Sequence, residues 1–378
     1  MKKKKNAVLI INCLQGGGAE RSVLTLGQGF FELGYDVHVL RFKPLVEYDL
    51  NPNLQYHLVK FKPYKLIPTD LKYSLFAKKI DDYILQKIMQ GKGTPDIVLS
   101  NLERPDRVMS FSKLPNLLHV IRNTITQEYQ LKTQSNRLAT IKDLVKVYQS
   151  HPCVCISKGV KEDMNAVLGK EIETHTIYNP FDITNIMQMA NQDIDFKELG
   201  ISDSNYMVHV GSFKTQKAHD LLLKAYRQYI DSKPLEVIPL VLVGQGKLME
   251  EMKQLAIDLD IDKKVIFAGF NKNPYPFIKH ARFMVLSSRF EGFGRVIVES
   301  IAVNTPVIST DCPSGPREIL PDTNLVESEN VEVLARKMAE CTINPERFHV
   351  DFDEQFLPKN IAKQYIELIN DIKENKHI

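Results

Sequence analysis

The chain has 378 residues, of which 43% are hydrophobic and 25% charged, so it is long enough to form two domains with separate cores. No apolar stretch approaches the roughly 20 residues that cross a bilayer, which excludes a helical membrane protein. The five cysteines include no CxxC pair, which argues against a disulfide framework or a zinc cage and indicates a reduced, cytoplasmic compartment.

The charge is distributed unevenly along the chain. The net charge is only +3, yet residues 1–177 carry 26 Lys and Arg against 17 Asp and Glu, a local charge of +9. The remainder, residues 178–378, carries 23 against 29, a local charge of −6. Such asymmetry predicts different partners for the two halves.

The first predicted element is a buried strand in MKKKKNAVLIINC. A secretion signal fits less well, because the apolar run is short, contains Asn12 and leads directly into three glycines. Further short apolar runs predict strands, and segments with helical spacing lie between them: strands in DVHVLRF, DIVLSN, NLLHVIRN, PCVCIS, YMVHVGS, IPLVLVG, KVIFAGF, RFMVLSS and TPVISTD, and helices at 221–230 and 248–257. This alternation predicts parallel sheets covered on both faces, in two doubly wound α/β domains.

The predicted domain boundary lies near HTIYNPFDITN, where a strand ends at Asn179 and Pro180. We therefore expect two domains, one over residues 1–177 and one over residues 178–357. The last segment, 358–378, is predicted to be a helix that packs back toward the first domain.

Two loops that follow strands could bind an anion. In LQGGGAERSVL, glycines precede a helix whose N-terminus suits a diphosphate, although a tight turn with Glu20 and Arg21 solvated remains an alternative. The spacing is not G-x-G-x-x-G, which disfavours nicotinamide or flavin binding. HVGSFKTQKAHD repeats the layout in the second half, and its Lys214 and Lys217 could meet phosphate or be merely solvated.

The segment EGFGRVIVE carries Glu291 in a loop after a strand and Glu299 in a helix predicted over 295–303. Eight partly helical residues separate the two carboxylates by roughly 10 Å. They are therefore poorly placed to act on one bond, as a glycosidase pair does, and well placed to hold two ends of an elongated ligand.

Over nearly the whole chain, the sequence resembles the retaining glycosyltransferases of family 4. The resemblance rests on the E-x7-E element and on the order of six further segments: GGGAER, YNPFD, HVGSFKTQKAHDLL, LVGQGKL, VIFAGF and STDCPSGPREIL. The resemblance implies the GT-B fold, two Rossmann-like domains that face each other across a cleft. It implies that the first domain, residues 1–177, binds the acceptor and that the second, residues 178–357, binds the donor. It also implies that Glu299 binds the ribose of a nucleotide, that Glu291 binds the donor sugar and that Lys217 binds phosphate.

The remaining implied donor contacts are backbone amides near the diphosphate and the loop that approaches the donor from the first domain. They are Gly292, Phe293 and Gly294 for the amides, and Gly17 and Gly18 for the loop.

Two positions depart from the family pattern. Ser212 stands where the family usually has an arginine, so Lys214 or Arg295 is a candidate to compensate. The histidine that many members carry in a first-domain loop has no counterpart, because His119 lies within a strand pattern and is expected to be core. Arg122 and Asn123 are the candidates for acceptor or donor contact.

We expect a retaining enzyme that transfers a hexose or N-acetylhexosamine from a nucleoside diphosphate sugar, with UDP favoured, to a glycan or lipid-linked acceptor in cell-surface polysaccharide or lipopolysaccharide synthesis. No metal or other cofactor is expected. A non-catalytic sugar- or nucleotide-sugar-binding protein of the same fold is the alternative, and nucleic-acid binding is not expected.

Lys2 to Lys5, together with the lysines interleaved with apolar residues in 60–87, suit an anionic bilayer surface, although a solvated helix face explains them equally well. The expected location is cytoplasmic, with peripheral contact to the inner face of the membrane as a hypothesis.

Overall fold

A computed structural model describes residues 4–47, 49–62, 67–131, 133, 135–194, 196, 200–201 and 205–375. Its contacts divide the chain into two compact units. Unit 1 comprises Met1–Phe181 with Glu354–Ile378, and unit 2 comprises Asp182–Asp353.

Unit 1 contains, within its described residues, a seven-stranded parallel sheet in the order β3-β2-β1-β4-β5-β6-β7. The strands are β1 Asn6–Ile11, β2 Asp36–Arg41, β3 Gln55–Leu58, β4 Ile97–Asn101, β5 Leu117–Ile121, β6 Cys153–Cys155 and β7 Thr174–Thr176. The last five residues of β1 are completely buried, as expected for a parallel strand covered on both faces. The first apolar run is therefore a strand.

The helices of unit 1 are α1 Gly18–Glu32, α2 Thr69–Tyr83, α3 Glu103–Met109, α4 Ile125–Glu128, α5 Arg137–Tyr148, α6 Lys158–Leu168 and, after unit 2, the helix Pro358–Asn375. This last helix packs on α1, where a Cβ at Gly29 would lie 2.2 Å from the carbonyl oxygen of Pro358. Glycine at position 29 thus allows the two backbones to approach closely.

Unit 2 contains, among the residues the structure describes, a six-stranded parallel sheet in the order β10-β9-β8-β11-β12-β13. Its strands are β8 Met207–Val210, β9 Leu240–Val243, β10 Val265–Gly269, β11 Phe283–Leu286, β12 Val307–Thr310 and β13 Leu325–Val326. The helices of unit 2 are α7 Ile183–Ala190, α8 His219–Asp231, α9 Met249–Asp258, α10 Tyr275–Lys279, α11 Arg295–Ala302, α12 Pro316–Ile319 and α13 Val331–Ile343. The terminal helix Pro358–Asn375, which belongs to unit 1, is α14.

The expected fold class is confirmed, since both units are parallel sheets covered by helices. Every strand predicted from the sequence is present. The strand predicted to end at Asn179 and Pro180 is β7, which ends earlier, at Thr176. Strands β3 and β13 were not predicted, because β3 carries no buried residue and β13 is only two residues long. No helix in the described part of the chain is long and apolar enough to cross a bilayer.

Candidate active site

The candidate donor site lies in unit 2 at the point where the strand order reverses. From β8 the chain proceeds to β9 and β10 on one side of the sheet and then returns to β11 on the other. Open α/β sheets bind ligands in the crevice at the carboxyl ends of strands flanking such a switch point. The loops that follow β8 and β11 are the two that contain Lys217 and Glu291.

These two predicted residues meet, although 74 positions separate them. Nζ of Lys217 lies 2.5 Å from Oε1 of Glu291, and their side chains are only 16% and 7% exposed. The hydroxyl of Ser288 donates to the same carboxylate oxygen over 2.6 Å. The carboxylate is thus held in one orientation by a cation and a hydroxyl.

The backbone that carries Lys217 is fastened to the loop after β11 by three further hydrogen bonds. Ser287 Oγ donates to the carbonyl of Lys217 over 2.9 Å, and Gln216 Nε2 donates to the carbonyl of Phe290 over 3.1 Å. The amide of Arg289 donates to the carbonyl of Gln216 over 2.8 Å. The ion pair therefore rests on two loops that are joined directly to one another.

Arg289 strengthens the same connection through its side chain. Its guanidinium donates to both carboxylate oxygens of Asp220, over 2.9 and 2.8 Å, in the first turn of α8. This hydrogen bonding lowers the pKa of Asp220. A bidentate pair of this kind fixes geometry as well as adding energy.

Glu299 lies one turn into α11 and is 7% exposed. Its carboxylate accepts from Arg295 Nη2 over 3.3 Å. The helix begins after Gly294, whose φ of +81° is in the left-handed region that favours glycine. Arg295 is thus engaged with the proposed ribose-binding carboxylate, while Lys214, the other candidate to replace the missing arginine, is exposed next to half-buried Ser212.

The glycine-rich loop before α11 packs tightly on the segment PSGP that follows β12. The amide of Glu291 donates to the carbonyl of Pro313 over 3.2 Å, and Ser314 Oγ donates to the carbonyl of Gly292 over 3.3 Å. A Cβ at Gly315 would lie 2.2 Å from the carbonyl oxygen of Phe293, and the φ of Gly315 is +102°. Only glycine fits at position 315. The close packing of PSGP therefore holds in place the loop that carries the amides of Gly292, Phe293 and Gly294.

Two buried histidines near Lys217 were not identified from the sequence. His209 donates from Nδ1 to the carbonyl of Val285 over 2.9 Å, and its ring meets that of His219 edge to face, with the centroids 4.6 Å apart. Burial lowers the pKa of His209 to about 4, and burial also lowers the pKa of His219; the charge of Lys217 acts in the same direction on both. Both rings are therefore neutral at physiological pH.

In unit 1 the predicted residues lie at the carboxyl edge of the sheet. Gly17 precedes the first residue of α1, Gly18. Arg122 follows β5, and its guanidinium donates to the side-chain oxygens of Asn101 and Asn179, over 2.6 Å each. Asn123 accepts from the amide of Thr124 over 2.9 Å, a local turn contact.

His119 is fully buried, which confirms its assignment to the core. Nδ1 of His119 lies 2.7 Å from Ser100 Oγ, and that hydroxyl donates to Asp106 over 2.6 Å. The alternative in which Glu20 is solvated is wrong, because Glu20 is only 9% exposed. The sequence offered no signal for its burial except the helical periodicity of α1.

Among the described residues, no three His, Cys, Asp or Glu side chains lie close enough together to bind a metal ion. Four of the five cysteines are buried, and burial raises the pKa of Cys312, next to Glu291, to about 12. Cys312 is therefore protonated and unreactive as a nucleophile.

Comparison with known proteins places this geometry in a family. Residues 16–185 match the family described as Glycosyltransferase Family 4, and residues 191–355 match Glycosyl transferases group 1. The chain is 30% identical over 335 residues to the N-acetylgalactosamine-N,N'-diacetylbacillosaminyl-diphospho-undecaprenol 4-alpha-N-acetylgalactosaminyltransferase of Campylobacter jejuni, covering 85% of this chain and 86% of that protein.

A second relative is a lipopolysaccharide core biosynthesis glycosyltransferase of Rhizobium meliloti, 25% identical over 72% of this chain and 77% of its own. Among solved structures, Anabaena HepE in complex with UDP and glucose superposes with a TM-score of 0.69 at 16% identity, over 98% of this chain and 99% of that one. Sucrose-phosphate synthase from Thermosynechococcus elongatus gives 0.70 at 16% identity, over 97% and 94% of the two chains. The chain is therefore a GT-B glycosyltransferase of the family 4 type.

Proposed function

We propose that the enzyme transfers a hexose or N-acetylhexosamine, with retention of anomeric configuration and without a metal ion, from UDP to a glycan or lipid-linked acceptor. The observation that carries the proposal is the Lys217–Glu291 pair at the switch point of unit 2. A buried carboxylate suits sugar hydroxyls, and an ammonium suits the diphosphate. Side by side, they match the junction between sugar and phosphate in such a donor.

In this proposal each end of the donor meets a different residue. Glu291 accepts hydrogen bonds from hydroxyls of the sugar, and Glu299 accepts them from the ribose. The ammonium of Lys217 has three donors, of which one points to Glu291, and it approaches the phosphate next to the sugar. The amides of residues 292–294 lie beside the diphosphate. That Gly17 and Gly18 also approach the donor stays a prediction.

The proposed chemistry breaks the bond between the anomeric carbon and the phosphate oxygen. The acceptor hydroxyl forms its bond to the same face of that carbon, its proton passes to the departing phosphate oxygen, and the electron pair of the broken bond leaves with the nucleoside diphosphate. Charge develops on the phosphate, so a cation and oriented amides at that position lower the barrier. Because Arg295 contacts Glu299 and Lys214 is exposed, Lys217 is the main cation in this scheme.

The comparisons support the choice of substrates. The C. jejuni relative is named for transfer of N-acetylgalactosamine to an undecaprenol-linked saccharide, and Anabaena HepE was crystallised with UDP. Transfer from a UDP-N-acetylhexosamine to a polyprenyl-diphosphate-linked glycan is accordingly the version we favour. Because the R. meliloti relative is named for lipopolysaccharide core biosynthesis, a lipopolysaccharide acceptor is our second proposal.

Peripheral binding to an anionic membrane is part of the proposal and rests on α2. Leu71 and Leu75 are 50% and 41% exposed on this helix, and Lys78 and Lys79 are exposed as well. Apolar and basic side chains at the exposed positions of one helix suit an anionic bilayer. Lys2, Lys3 and residues 63–66 of the predicted basic surface lie outside the described residues. Flotation with anionic vesicles at low and high salt tests it, since salt-insensitive absence from the vesicles refutes membrane binding.

Hydrolysis of UDP-sugars tests the enzymatic function without knowledge of the acceptor. We expect slow release of UDP from one UDP-hexose or UDP-N-acetylhexosamine by the wild type, and loss of that release in Glu291→Gln. Glu251→Gln, an exposed glutamate of α9, is the matched control. UDP-sugar binding with no release above that of Glu291→Gln would instead indicate a non-catalytic sugar-nucleotide-binding protein.

A further inference from the structure

Unit 1 has a switch point of its own, between β1 and β4. The chain leaves β1 toward β2 and β3 on one side and continues with β4 on the other. The loops after β1 and β4 therefore flank a crevice of the kind in which α/β sheets bind ligands. Asn101, the last residue of β4, bridges the two strands by donating from Nδ2 to the carbonyl of Ile10 over 3.2 Å.

The backbone at this point is strained. Leu102, directly after Asn101, has φ +74° and ψ 158°, a region that is occupied almost only by glycine. Such conformations persist where the surrounding structure enforces them, and they cluster at functional sites. At the same edge of the sheet, the hydrogen bonds of 2.6 Å to Asn101 and Asn179 fix the guanidinium of Arg122.

Glu20 supplies a buried carboxylate beside the other loop. It occupies the third position of α1, and its Oε2 would lie 2.3 Å from a Cβ at Gly17. Its carboxylate accepts from its own backbone amide, and Arg122 is close enough for its charge to act on it. Within the described residues no cation lies at ion-pairing distance from Glu20.

Helix capping alone could explain this position. A glutamate at the third helical position commonly reaches back to the first residues of its helix, and glutamine does so equally well. Capping, however, needs no negative charge, and it does not account for a strained backbone and a fixed guanidinium at the same switch point. The two explanations therefore differ in whether the charge of Glu20 matters.

The charges of Glu20 and Arg122 favour one class of ligand. A phosphate at the N-terminus of α1 would meet the carboxylate of Glu20, and like charges repel. A sugar hydroxyl, in contrast, can donate to the carboxylate in a charge-assisted hydrogen bond, while a neighbouring ring oxygen or hydroxyl accepts from the guanidinium. We infer that Glu20, with Arg122, binds hydroxyl groups of a neutral sugar ring of the acceptor. This inference rests on the proposed transferase function, which it deepens.

Saturation-transfer NMR with methyl glycosides of glucose, galactose, N-acetylglucosamine and N-acetylgalactosamine as probes tests the inference on the full chain. We expect binding of at least one glycoside, about tenfold weaker in Glu20→Gln, which loses a charge-assisted hydrogen bond. Glu32→Gln, an exposed glutamate at the end of α1, should bind like the wild type. The affinity for UDP should be the same in all three proteins.

Two further outcomes separate the explanations. Glu20→Ala should lower the melting temperature while Glu20→Gln does not, because only alanine removes the cap. Equal glycoside binding by Glu20→Gln and wild type, or no glycoside binding by the wild type, overturns the inference. A wild type that binds the glycoside in a Glu20-dependent way but neither binds nor hydrolyses a UDP-sugar refutes the proposed donor site instead.

Discussion

Replacing Lys217 by methionine removes the cation from a pair in which both side chains are largely buried, at 16% and 7% exposure. Methionine keeps most of the apolar volume of the lysine stem. The main effect is therefore to leave the carboxylate of Glu291 buried with, among the residues the structure describes, only the Ser288 hydroxyl as side-chain partner. Breaking a buried ion pair from one side typically costs 3–5 kcal/mol. Because Lys217 is not completely buried, we expect about 3 kcal/mol.

The size of unit 2 converts this cost into a measurable shift. In a unit of this length, 1 kcal/mol corresponds to roughly 2–4 °C in melting temperature, so Lys217→Met should melt about 6–12 °C lower. The double variant Lys217→Met/Glu291→Gln removes both charges and should recover most of the loss. The expected interaction energy between the two sites is at least about 2 kcal/mol.

The assay is thermal unfolding of unit 2 without ligand, together with initial rates of UDP release. Lys224→Met is the matched control, since Lys224 is exposed on α8 and should change stability by no more than about 0.5 kcal/mol. Release of UDP should fall about 10²- to 10³-fold in Lys217→Met at temperatures where it is folded. A melting point within 1 °C of wild type, or additive effects in the double variant, would refute the reasoning.

Three other predictions concern the same unit. Ala218 has φ +49° and ψ 48°, so Ala218→Gly relieves left-handed strain of about 1–2 kcal/mol and should not destabilise, whereas Ala225→Gly, inside the same helix, should cost about 1–2 kcal/mol in urea unfolding. Burial lowers the pKa of His219 in the folded state, so the unfolded chain binds more protons and stability should fall as pH drops below about 6.5; His219→Phe should reduce the loss between pH 7 and 5 by about 2 kcal/mol. Gly315→Ala would place Cβ 2.2 Å from a loop carbonyl and should weaken UDP binding in calorimetry about tenfold or more, unlike Gly269→Ala, where nothing lies within 4 Å.

Each of these three predictions has an outcome that contradicts it. Equal destabilisation by the two alanine-to-glycine changes would mean that the backbone at Ala218 is not strained. An unchanged pH profile in His219→Phe would mean that this histidine titrates normally in the folded chain. If Gly315→Ala bound UDP with wild-type affinity, the packing of the PSGP segment would not contribute to donor binding.

The strands that sequence reasoning found are those whose signal is local. Runs such as AVLII and LVLV are hydrophobic at every position because a parallel strand is covered on both faces. Strand β3 has no buried residue, and β13 has only two residues, so neither carries such a run. Their places in the sheets depend on hydrogen bonds to β2 and β12.

The candidate site was predicted in part, and the residues that were predicted are those with a local sequence signal. Glu291, Glu299 and Lys217 occur in segments whose order resembles a known family, so their positions were available from the sequence. The contacts of Ser288 and Arg289 with that site were not, because hydroxyl and guanidinium groups occur throughout any chain. Glu20 was assigned to solvent as one alternative, and its burial follows from packing around α1 rather than from any residue beside it in the sequence.

The sequence by itself determined the α/β class, most of the strands and the spacing of the two glutamates, since these depend on residues that are close together in the chain. Only the tertiary structure decided that Lys217 reaches Glu291 from 74 residues away, that Arg295 contacts Glu299 and that Arg122 lies between Asn101 and Asn179. The physical reason is that burial and pairing of charges depend on which loops the sheet brings to a shared edge, and strand order is not a local property.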